Sequence, residues 1–203
     1  MSRRYLIPAT NHRVEDSIKR SRFIATAAHA PDADSAKAFI AGIKEEFSDA
    51  THNCWAYGAG PPCDTAQVGM SDDGEPHGTA GKPMLSTLMH SDVGEIAVVV
   101  TRYYGGTKLG TGGLVRAYSS MVNLVLESLP TKEKVETAAL TVIIPYQSVT
   151  LFKRMLPAFE AKVENEEFSA DAAFSLVMPI EHVPSFTKQL AELTDGRGHI
   201  KIN

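Results

Sequence analysis

Several familiar routes to function are closed by what this chain does not contain. It has two cysteines in 203 residues, Cys54 and Cys63, too few for a disulfide framework at this length. No apolar run approaches the roughly 20 residues of a membrane span. The start, MSRRYLIP, carries positive charge but no apolar core of a signal peptide before the NHRVED run. A cytoplasmic address with no membrane partner is the resulting expectation. Net basicity is missing too, since the formal charge is −4. Residues 1–130 hold 12 Lys+Arg against 14 Asp+Glu and residues 131–203 hold 8 against 10. Any nucleic-acid contact would therefore need a local basic patch rather than a basic domain.

Against that background one segment stands out, TRYYGGTKLGTGGLVRAY at 101–118. The β-branched run EIAVVVT enters it and an apolar-periodic helix leaves it. Five of the nine residues from Gly105 to Gly113 are glycine, namely Gly105, Gly106, Gly110, Gly112 and Gly113. Such a loop can curl its N–H groups around an anion at a helix N-terminus. Arg102, Lys108 and Arg116 sit in or beside it, a setting suited to phosphate. Two well-known fingerprints fail: Lys108 precedes Gly110, unlike a Walker A lysine, and Val115 stands where a dinucleotide motif needs its third glycine. The plainer alternative is that these glycines serve tight turns and close strand–helix packing.

A second unusual segment is SDDGEPHGTAGKP at 71–83. Asp72, Asp73 and Glu75 are three carboxylates in four residues, able in principle to hold a hard cation or act as a base. The spacing is not that of an EF-hand, and Asp-Gly and Glu-Pro also form ordinary turns. With His77 these residues make a candidate functional turn. His52, Cys54 and His77 lack a fourth ligand and zinc spacing, so no metal site and no cofactor is assigned, and no catalytic residue. Among the aromatics, Trp55 and Tyr57 share a strand face suited to the core. Of Tyr103 and Tyr104 only one can point inward, and the outward one is the candidate for stacking on a base.

Periodicity gives the rest. Residues 1–20 read as an extended lead-in and 22–29 as the first strand. Asp32 offers a helix cap, and apolar positions 36, 39, 40, 43 and 47 mark a helix. Strands follow at 51–57 and 95–103, with a short one at 66–70. A short helix is expected at 83–90 and a strongly amphipathic one at 114–129. The charged stretch 131–136 reads as a linker between a domain at 1–130 and another at 137–203. Strand 138–145, helix 148–159, strands 161–168 and 172–179, helix 181–193 and strand 199–202 then give a ferredoxin-like β-α-β-β-α-β order. The fold class is therefore α+β in two domains.

Five motifs occur in order: SRF at 21–23, ATHNC at 50–54, SDDGEP at 71–76, TAGKP at 79–83 and the glycine-rich segment at 101–118. Together they resemble the signature of the IMPACT/YigZ family over roughly residues 18–127, and 131–203 resembles the smaller C-terminal domain of its bacterial members. The resemblance implies an N-terminal α/β sandwich similar to domain IV of elongation factor G and a C-terminal domain similar to its domain V. It also implies a translation-linked regulatory role. Eukaryotic members compete for the activator of the kinase that shuts down translation in starvation, but they carry an extra N-terminal partner-binding domain, and only twenty residues precede Ser21 here. That partner is not transferred.

The expected function is a non-enzymatic binder of RNA or the ribosome, with Lys82, Arg102, Tyr104, Lys108, Arg116 and the loop glycines as the phosphate and nucleic-acid site. Two alternatives are an enzyme or binder acting on a phosphorylated small molecule, with the 72–75 turn as metal or base site, and a protein-docking adaptor of the translation machinery.

Overall fold

The structure, a computed structural model, describes residues 4–203. The chain divides into two compact units, one of Tyr5–Lys134 and one of Arg4 with Val135–Asn203.

In the larger unit, strands β1 (Arg4–Pro8), β2 (His12–Ile18) and β3 (Ser21–His29) precede helix α1 (Ala33–Glu46). Strands β4 (His52–Gly58) and β5 (Val68–Ser71), helix α2 (Gly81–Met89), strand β6 (Ile96–Tyr103), helix α3 (Thr111–Ser128) and strand β7 (Thr131–Val135) complete it. Five strands form one sheet in the order β2-β3-β6-β4-β5, with every neighbouring pair antiparallel. Strand β6 lies at its centre and is covered on both faces, which its uninterrupted IAVVV run anticipates. Alternation sends Ile96, Val98 and Val100 toward α2 and α3, where they meet Met84, Leu114, Tyr118 and Met121. Ala97 and Val99 face α1 and meet Ile40 and Ile43. Asp32 caps α1 as expected, accepting from the Ser35 amide at 2.7 Å.

Three expectations need correction here. Within the stretch 1–20, read only as an extended lead-in, residues 4–8 and 12–18 form the paired strands β1 and β2. Strand β2 is an edge strand whose only half-buried apolar residues are Val14 and Ile18, so its alternation is hidden among charges of the kind that protect sheet edges. The stretch 131–136, read as a linker, does hold the boundary between the units, but it is not irregular: it contains β7, which pairs with β1. The Glu95 carboxylate holds that pair, accepting from Tyr5 Oη at 2.8 Å and pairing with the Lys134 ammonium, with His29 Nε2 at 2.7 Å. Burial alone would raise its pKa, but these partners hold it below the ordinary glutamate value. Finally, α3 begins at Thr111 and not at 114, so Gly112 and Gly113 lie in its first turn.

The smaller unit runs β8 (Thr137–Ile144), α4 (Val149–Met155), β9 (Lys162–Phe168), β10 (Ala172–Pro179), α5 (Val183–Leu193) and β11 (His199–Ile202). Its antiparallel sheet has the order β11-β8-β10-β9, the split β-α-β-β-α-β arrangement. The helix expected over 148–159 is split, with α4 passing into a tighter 3₁₀ turn that carries Pro157 at its start. Leu140, Val142 and Ile144 of β8 and Phe174, Leu176 and Met178 of β10 pack on Phe152 and Phe186 of the helices. Phe174 is 1% exposed, with its ring centroid 4.8 Å from that of Phe152. Phe174→Ala should cost this unit about 3–5 kcal/mol, measured by denaturant-dependent amide exchange in β8–β11.

Candidate functional site

The register of the large sheet places Phe23, Arg102 and His52 side by side on three adjacent strands. Cross-strand neighbours share a face, so Arg102 continues the row of Ile96, Val98 and Val100 toward α3. A guanidinium in that position needs a buried partner, and the turn after β5 supplies it. Arg102 Nη1 donates to Glu75 Oε1 at 2.6 Å, Arg102 Nη2 lies 3.2 Å from Ser21 Oγ, and Tyr118 Oη of α3 donates to the same Glu75 oxygen at 2.8 Å. The side chains of Arg102 and Glu75 are 6% and 3% exposed. The guanidinium carbon lies 5.5 Å from the Phe23 ring centroid and 5.6 Å from that of Tyr104. Only its Nε is buried without a hydrogen-bond partner among the described residues.

Cys54 belongs to the same network, its Sγ 3.3 Å from Tyr118 Oη and 2.9 Å from the Asp72 carbonyl. Burial and the nearby carboxylates push its thiol up to about 12, so it stays protonated and is a poor nucleophile at neutral pH. The Tyr118 hydroxyl is likewise driven up, chiefly by burial.

The two aspartates of the candidate turn face inward to backbone, not outward. Asp72 accepts from the amides of Gly78 (2.7 Å), Ala80 (3.0 Å) and Gly81 (2.8 Å), bridging the turn to the start of α2. Burial works to raise its pKa, but those three donors outweigh it and hold the carboxyl below the ordinary aspartate value. Asp73, at φ 44°, accepts from the Asn53 amide at 2.7 Å and pairs with Lys44, while its carbonyl meets His52 Nδ1 at 2.9 Å. Glu75 is claimed by Arg102. Among the described residues no three His, Cys, Asp or Glu side chains converge as a metal site. Asp72, Asp73 and Glu75 thus form the scaffold of the turn. His77 is exposed, 3.7 Å from Asp72.

The glycine loop is rooted on β3. A Cβ on Gly105 would lie 1.7 Å from the Arg20 carbonyl oxygen, so no other residue fits without moving the backbone. Gly110, at φ 76°, turns the chain into α3 and supplies no side-chain cap. The first intrahelical bond runs from the Leu114 amide to the Gly110 carbonyl at 2.9 Å. The amides of Thr111, Gly112 and Gly113 therefore precede the helical ladder, at the positive end of an 18-residue helix.

Beside this terminus lies a cavity of about 440 Å³ between Pro76, Tyr104, Lys108, Leu109 and Leu114, with Arg102 and Glu75 in its wall. Tyr104 is 47% exposed and is the outward tyrosine of the pair, whereas Tyr103 bonds Asp49 at 2.7 Å. The structure thus brings Tyr104, Lys108, Gly110 and the start of α3 together. Lys82 and Arg116 are exposed but do not line this cavity, and Lys82 borders a separate hollow with His77 and Gly78. Gly106 is exposed at the loop's outer bend, at φ 84°. Arg102 requires correction: its terminal nitrogens serve Glu75 and Ser21, so it is no free phosphate ligand. Sequence reasoning missed the roles of Ser21 and Tyr118. The signal was present, because even-numbered positions of β6 face α3.

Arg102→Met should strand Glu75 beside Tyr118 and cost about 3–5 kcal/mol, read by urea denaturation. For Asp72, whose carboxyl is lowered in the fold, the stabilisation is complete above the ordinary aspartate value of about 3.9. It is lost as pH falls through the lower folded value. Asp72→Asn should therefore be less stable at neutral pH, with the gap narrowing in acid, as measured by thermal melts from pH 7 to 2.

The family model of the Impact N-terminal domain matches residues 19–126, and a domain of unknown function (DUF1949) matches 142–197. The IMPACT family member YigZ of Escherichia coli is 44% identical over 95% of this chain and 94% of its own. An IMPACT family member of Haemophilus influenzae is 42% identical over 98% of this chain and 96% of its own. The crystal structure of a hypothetical protein is 42% identical and superposes with a TM-score of 0.69, covering 98% of this chain and 97% of that one. With both parts matched in order and relatives aligned nearly end to end, the chain belongs to the IMPACT family.

Proposed function

We propose that this protein is a non-enzymatic, translation-associated factor that binds RNA or the ribosome through the edge formed by the glycine loop and the start of α3. The observation that carries this reading is the uncapped α3 terminus, entered through Gly110 with Lys108 exposed beside it. Free amides, the helix dipole and an exposed cation together favour phosphate oxygens. Arg116, exposed one turn past Gly112, and Lys82 at the start of α2 extend positive charge along the surface. This local patch works within a chain of net charge −4. The similarity to elongation factor G domains and the link to translation that the family resemblance implies point the same way. Against an enzyme stand the protonated, buried Cys54 and the commitment of Asp72, Asp73 and Glu75 to structural partners.

A binder of this kind loses affinity as salt rises, because each neutralised phosphate releases counterions. Co-sedimentation with ribosomes and total RNA across a salt series should show salt-sensitive binding. Lys108→Ala/Arg116→Ala should weaken it and flatten the salt slope by about one per lost contact. No binding even at low salt would overturn the reading.

A further inference from the structure

We infer that the cavity between Tyr104, Pro76 and the start of α3 takes a single unstacked nucleotide, with its phosphate at the α3 terminus and its base against Tyr104. This rests on the RNA-binding reading and specifies what that edge recognises. Arg102 is 5% exposed, yet its buried Nε has no acceptor among the described residues. Such a donor is costly to leave unmatched, and Arg102 forms part of the cavity wall. Beside it, Glu75 uses Oε1 for Arg102 and Tyr118, while its Oε2 has His52 no nearer than 3.9 Å.

With the Arg102 guanidinium and the Glu75 carboxylate both in the cavity wall, a ligand that carries donors and acceptors fits there, as the edge of a base does. A phosphate there would face the Glu75 carboxylate, so the charges order the ligand. Phosphate belongs at the mouth, with Lys108 and the Thr111–Gly113 amides, and the base belongs inside. The cavity's 440 Å³ falls within the roughly 300–1,000 Å³ of small-ligand pockets. Its remaining wall is apolar (Pro76, Leu109, Leu114) and aromatic. The Tyr104 ring rests on the Arg102 guanidinium and is still 47% exposed, leaving ring surface on which a base can stack.

The nucleotide could come from an RNA strand or be a free nucleoside monophosphate. Two measurements on the full chain separate these sources: fluorescence anisotropy with a short single-stranded RNA and with a duplex of equal length, and thermal shift with nucleoside monophosphate and with inorganic phosphate. Tyr104→Ala should weaken single-strand binding about tenfold while duplex affinity and salt slope hold, and Tyr104→Trp should retain it. A thermal shift from the monophosphate, absent with inorganic phosphate and lost in Tyr104→Ala, would extend the site to free nucleotides; its absence beside selective loss of single-strand binding would confine it to RNA. Unchanged single-strand affinity in Tyr104→Ala, or an equal loss on duplex, would overturn the nucleotide pocket if no Tyr104-dependent monophosphate shift is seen, and would leave general RNA binding standing. No RNA binding together with a Tyr104-dependent monophosphate shift would do the reverse. Neither signal would remove both.

Discussion

The buried ion pair between Glu75 and Arg102 is the constraint around which the larger unit is arranged. Removing two charges from water is expensive, and their attraction offsets that cost only when geometry and extra hydrogen bonds are right. Here Tyr118 and Ser21 complete the set, so four separate segments meet at one carboxylate and one guanidinium: the 71–81 turn, the end of β6, the middle of α3 and the start of β3. An apolar cluster of similar volume would tolerate sliding of these segments. A charge-assisted network in a low-dielectric interior does not, because each misplaced atom loses its partner.

The exposed edge inherits its geometry from that network. The turn can be held against β4 and α2 because Asp72 and Asp73 bind backbone amides. The glycine loop can leave β6 in only one direction because Gly105 lies against Arg20. Tyr104 is supported from below by the same guanidinium that holds Glu75. The exposed edge thus stands on a hydrogen-bonded inner layer, and the groups it presents are the few that layer leaves unused.

Much of this was legible in the sequence. Helices α1, α3 and α5 and strands β3, β6 and β10 announce themselves through apolar period, because each buries a continuous stripe or face. Strands β1, β2 and β7 did not, because an edge or short paired strand buries few residues and keeps its charges. For the site, the sequence separated the two unusual segments and named the outward tyrosine. It did not separate carboxylates that build from carboxylates that bind, since Asp72, Asp73 and Glu75 differ only in which distant amide or cation reaches them. Arg102 looked like a ligand by its neighbours in sequence, while strand alternation put it in the core.

The pairing of β1 with β7 also bears on how the protein is made. The first strand of the larger unit finds its partner in β7, where that unit ends. At about 5–20 residues per second, the intervening stretch takes roughly 6–25 s to synthesise. Until then β1 has no strand beside it, and the buried Glu95 lacks the lysine that neutralises it. The nascent five-stranded sheet can form before this, but the unit closes only after its own end has been translated. Completion is thus timed by the length of the chain.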